Sequence, residues 1–146
     1  MSDHQLSVTV VWSDVDLLEI ELAVSFAPWS GAERAYVTRD ELTSFASSLD
    51  AVVAGATAAE LNAGQPDLGY GQCRVFEYSR ARHLGMEVVV GHAGGNVMNR
   101  PDYRRELRIS VPIERGQLSA FAATLRRLVA TERGKATLLI PPDWPW

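Results

Sequence analysis

Two segments of the chain, set 76 residues apart, carry the same amphipathic helix pattern, and each follows runs in which apolar and polar residues alternate. Val37 to Val53 reads VTRDELTSFASSLDAVV and Ile113 to Val129 reads IERGQLSAFAATLRRLV, with six of seventeen positions identical. In the first segment Leu42, Phe45, Ala46, Leu49, Val52 and Val53 fall on one stripe of a helix. Thr38 can cap its start, Glu41 completes a capping box, Val37 can staple against Leu42, and Gly55 suits a left-handed C-terminal cap. The second segment repeats the stripe with Leu118, Phe121, Ala122, Leu125, Leu128 and Val129, and stops near Gly134. Glu114 stands where the first helix has Thr38, so the second cap is weaker.

The runs before each helix have the period of two that belongs to strands with one buried face. Leu6, Val8, Val10 and Trp12 form one such run, and Leu18, Ile20, Leu22, Val24 and Phe26 form the next. Ser13-Asp14-Val15-Asp16 between them predicts an antiparallel hairpin. A turn around Pro28 to Gly31 leads to a short strand ending at Tyr36 and Val37. Strands resume at Cys73 to Ser79, at Leu84 to Gly91, and at Leu107 to Ile113, where Pro112 predicts an edge or a bulge because proline cannot donate to a ladder. Residues 56–72 read as a connecting loop, with at most a turn of helix near Ala58 to Leu61, on the strength of Gly64, Pro66, Gly69 and Gly71.

The expected fold class is therefore α+β: a mostly antiparallel sheet of about six strands with two amphipathic helices on one face. A strand-strand-strand-helix unit would be used twice, through duplication or through convergence of two helices that cover a sheet. One domain spans 1–146, with pseudo-repeat halves 1–55 and 73–134 and a C-terminal tail 135–146. The other sheet face either meets solvent through Glu19, Glu21, Glu87, Glu106 and Arg108 or binds something.

Charge divides the same way. Residues 1–72 hold eleven acids and two bases, whereas residues 73–146 hold seven acids and twelve bases, so the halves attract one another. The overall charge of −4 argues against general nucleic-acid binding, which draws its free energy from basic side chains displacing counterions. One cysteine excludes an intramolecular disulfide, no apolar run is long enough to cross a bilayer, and the first residues resemble no secretory signal; a cytoplasmic location without membrane attachment is expected.

No catalytic or metal motif is read. His4, His83 and His92 make no ligand spacing with one another or with Cys73, which reads as a core residue, and no cofactor is expected. The glycine loop Gly91 to Asn96 lacks the following helix that a phosphate cradle needs. Asp14, Asp16, Glu19 and Glu21 make an acidic row that either discourages edge pairing or faces a basic partner. Trp144 and Trp146, in a proline-stiffened tail, either fold back on the domain or meet a partner. Arg100, Arg104, Arg105 and Arg108 form the densest basic cluster, a candidate anion site or a set of intramolecular ion pairs.

The pattern Leu18-Glu19-Ile20, Tyr36-Val37, Glu41-Leu42, Phe45-Ala46 and Leu49, continued by Glu106 to Val111 and Gln117-Leu118, resembles small bacterial proteins that include WapI-type immunity-like families. That resemblance implies a non-enzymatic protein that neutralises a partner by binding, and it carries over no functional residue. Three functions are thus open: a protein-binding module, a homodimeric accessory protein, and a small-ligand binder or enzyme with a pocket near residues 56–72 and 93–103.

Overall fold

The computed structural model describes residues 4–94 and 103–142. Strands β1 (His4–Ser13), β2 (Leu18–Phe26) and β3 (Trp29–Val37) lead to helix α1 (Arg39–Val53) and strand β4 (Ala58–Gln65). After a 3-10 turn at Pro66–Leu68, strands β5 (Gly69–Glu77), β6 (Leu84–Gly94) and β7 (Tyr103–Ile113) lead to helix α2 (Leu118–Thr131) and strand β8 (Gly134–Leu139). The unit is three strands, a helix and a strand, and it occurs twice.

The last strand of each unit joins the other unit's sheet. One four-stranded antiparallel sheet has the order β3-β2-β1-β8 and the other β4-β5-β6-β7. The single sheet of about six strands expected from the sequence is thus replaced by two sheets with eight strands between them. Two segments account for the difference. In β4 the buried residues are Ala59, Leu61 and Ala63, and two alanines give too weak an apolar signal to mark a strand beside Gly64 and Pro66. β8, placed by the sequence reading within the tail 135–146, buries Ala136 and Leu138 and pairs along β1 from Val10 to Gln5.

Inward-facing residues of both sheets and both helices make one core. Leu6, Val8, Leu18, Ile20 and Leu22 from the first sheet join Cys73, Val75, Met86 and Val88 from the second. The helices contribute Leu42, Phe45, Ala46 and Leu49, and Leu118, Phe121, Ala122 and Leu125, the stripes that their spacing predicts. α1 and α2 pack side by side, with Arg126 Nη2 2.5 Å from Asp50 Oδ2.

The sheets approach closely where glycine leaves room. A Cβ on Gly31 of β3 would lie 2.6 Å from the Leu107 Cδ2 of β7, and one on Gly71 of β5 would lie 2.6 Å from the Leu22 Cδ2 of β2. Glutamates 19 and 21 lie on the outer face of the first sheet, and Glu87, Glu106 and Arg108 on the outer face of the second.

Local signals fix the helix ends. Thr38 Oγ1 accepts from the Glu41 amide at 3.1 Å while the Thr38 amide donates to Glu41 Oε1 at 2.9 Å, the capping box that the sequence predicts. α2 has no side-chain cap at its start; Arg115–Gln117 form a 3-10 turn ahead of it. Glu132 closes α2 in the left-handed conformation, with φ of 56°.

Candidate functional site

β7 is the end strand of its sheet, in keeping with Pro112, and among the described residues its backbone ladder runs only to β6. Its other edge borders a groove of about 890 Å³. Seven consecutive residues of β7, Glu106 to Pro112, line it, so both strand faces and the edge between them contribute. The opposite wall is apolar: Phe26 and Trp29, which flank the β2–β3 turn, and Pro142 beyond β8. Trp29 is 61% exposed although it is among the largest apolar side chains in the chain. Ile109 at 8% and Val111 at 5% are more open than most core residues, as expected of a strand covered on one side only.

Along the outer rim of the groove runs a cross-strand polar network. Tyr70 Oη donates to Glu106 Oε2 at 2.5 Å. Arg108 donates to Glu87 Oε1 at 3.0 Å and reaches Glu106 Oε1 at 3.5 Å, and Arg104 Nη1 lies 3.6 Å from Glu106 Oε2. The Tyr70 hydrogen bond holds the Glu106 carboxyl below its ordinary range, helped by the charges of Arg108 and Arg104 against the opposing effect of burial. Burial and the same bond raise the Tyr70 hydroxyl. Val89, opposite Arg108 in register, is 2% exposed beneath this layer although it lies outside the main core.

A groove of this kind offers the N–H and C=O groups of an edge strand that pair with none of the described residues, an apolar wall for alternate side chains, and a charged rim for the others. Those are the requirements for accepting an extended strand.

Asp14, Asp16, Glu19 and Glu21 lie elsewhere. Asp14 Oδ1 accepts from the amides of Leu17 at 2.7 Å and Asp16 at 2.8 Å, which builds the β1–β2 turn and lowers the Asp14 carboxyl below its ordinary value. Glu19 sits between Trp12 and Tyr36 in register, and its charge and hydrogen bond raise the Tyr36 hydroxyl. Trp12 and Tyr36 meet edge-on with centroids 6.4 Å apart. Glu21 lies 4.0 Å from Arg34. Of the arginine cluster, Arg104, Arg105 and Arg108 share β7, and Arg104 and Arg108 pair with carboxylates as described. Arg100, Trp144 and Trp146 lie outside the described residues.

Sequence reasoning missed Phe26 and Trp29 as a wall, since nothing local says that the β2–β3 turn will reach β7. It also missed Arg39. The guanidinium of Arg39 donates to the Asp14 carbonyl at 2.6 Å and the Val15 carbonyl at 3.3 Å and pairs with Glu132, tying the first turn to the end of α2.

Cys73 is fully buried and burial pushes its thiol up to about 12, which leaves it without thiolate reactivity. Among the described residues no group of three or more His, Cys, Asp or Glu side chains is placed to hold a metal ion. No helix among them is long and apolar enough to cross a membrane. Comparison with protein-family models, with curated proteins and with solved structures found no match.

Proposed function

We propose that the protein is a non-catalytic binding module that accepts an extended segment of another polypeptide along the open edge of β7. The observation that carries this reading is the groove itself: an end strand lined from Glu106 to Pro112, faced by the exposed indole of Trp29. Main-chain hydrogen bonds along β7 supply affinity, and the Phe26–Trp29 wall selects apolar side chains at every second position. The resemblance to WapI-type immunity-like proteins fits a role of this kind, in which capture of a partner protein is the activity.

A partner that co-purifies from the native host is expected to slow amide exchange over Glu106 to Val111. Trp29→Ala is expected to weaken it by about 2 kcal/mol, the loss typical of a central aromatic contact, without unfolding the chain, because Trp29 is mostly exposed. Protection confined to the outer face around Glu19 and Glu21, with Trp29→Ala silent, overturns the reading.

A further inference from the structure

We infer that the strand which completes this groove is β7 of a second copy of the chain; the inference rests on the strand-accepting reading above and names its occupant. An incoming strand has to bring apolar residues to the Leu107 and Ile109 side, towards Phe26 and Trp29, and charges of opposite sign to the rim at Glu106 and Arg108. β7 itself has that pattern from Glu106 to Val111: Leu107, Ile109 and Val111 alternate with Glu106, Arg108 and Ser110, only the first set faces the core, and Arg105 before them is the one charge on their side.

Charge separates the register centred on Leu107 from the one centred on Arg108. With an antiparallel two-fold at Leu107, Glu106 of each copy lies opposite Arg108 of the other, Leu107 opposite Leu107, Arg104 opposite Ser110, and Arg105 opposite Ile109 at the margin of the apolar contact. Shifting the two-fold to Arg108 sets that arginine against its own copy, and like charges directly opposite one another are unfavourable. In the Leu107 pairing Pro112, which cannot donate, falls beyond the paired stretch from Arg104 to Ser110. The result is one continuous eight-stranded sheet from two four-stranded ones, with the exposed Trp29 of each copy beside the seam.

The experiment is mass by sedimentation of the full chain over a wide concentration range, together with two variants whose folding is checked by circular dichroism. The wild type is expected to rise from 16.0 kDa towards twice that mass. Glu106→Arg leaves a strand with two arginines at the seam and Arg108→Glu one with two glutamates, so each alone is expected to weaken association by about ten-fold or more. An equimolar mixture is expected to recover it as a heterodimer, since each strand then faces the opposite charge. Recovery on mixing separates this pairing from general damage to the polar rim.

A wild type that stays monomeric throughout overturns the inference, while exchange protection by a heterologous partner would still stand for the strand-accepting edge. A dimer indifferent to both variants overturns it as well. So does a monomer that dimerises only when residues 143–146 are removed, because the chain's own end would then be the occupant.

Discussion

At the scale of single residues, the contacts legible in the sequence are the local ones. Thr38 and Glu41 are three apart, and their reciprocal hydrogen bonds form as the spacing says. Thr38→Ala is expected to cost about 1 kcal/mol in urea unfolding, the usual loss for an N-cap side chain. Arg39 was illegible because its partners, the Asp14 and Val15 carbonyls and Glu132, lie 24 to 93 positions away. The Tyr70–Glu106 bond has the same character, joining positions 36 apart across the sheet. Because the Glu106 carboxyl is lowered, its stabilising effect is present above the ordinary glutamate value of 4.5 and fades as pH falls through the lowered one. Tyr70→Phe removes the largest cause, so the Glu106 midpoint is expected to move up towards the ordinary range in an NMR titration of the side-chain carboxyl. An unchanged midpoint would mean that Arg104 and Arg108 alone hold it down.

Among elements, β1, β2, β6, β7 and both helices were foreseen from branched or large apolar residues at a clear period, and β3 and β5 were foreseen over part of their length. β4 escaped because its buried side chains are Ala59, Leu61 and Ala63, and because Gly64 and Gly69 resemble loop punctuation. The structure gives those glycines a different reason. Gly64 has φ of +77°, and a Cβ there would lie 2.2 Å from the Gly69 carbonyl oxygen and 2.8 Å from the Cβ of Ala35 in β3. Gly64→Ala is therefore expected to destabilise by more than about 1 kcal/mol, measured by chemical denaturation, whereas Gly116→Ala, with open space around it, should be close to neutral. The groove was half legible. Pro112 announced that its strand lies at an edge, but the wall of Phe26 and Trp29 depends on the packing of one sheet against the other.

For the whole molecule, the exchange of end strands explains why the two halves fold as one body. β4 completes the second unit's sheet and β8 completes the first unit's, so neither half has its full sheet alone. Arg115 of the second unit also donates to the Val52 carbonyl of α1, at 2.5 Å. Urea unfolding followed by far-ultraviolet circular dichroism and by tryptophan fluorescence is expected to give coincident single transitions; two separated transitions would contradict the interlock. The β8–β1 pair repeats the β4–β5 pair, with Leu139 beside Gln5 as Gln65 is beside Gly69. A circular permutant opened at Pro66–Leu68, with the present ends joined, is expected to keep the native spectrum. The opposite charge of the two halves, read from the sequence, finds a structural counterpart in the Arg126–Asp50 ion pair, whereas Arg39–Glu132 joins the halves in the opposite sense.

The central claim is that β7 presents an open edge, and residue-resolved amide exchange of the dilute, unliganded chain tests it most directly. Alternate amides between Arg104 and Val111 are expected to exchange far faster than those of β6, which is paired on both sides, and to slow once a strand is bound. Amides of β7 that are uniformly as slow as those of β6 in the dilute chain would contradict the account.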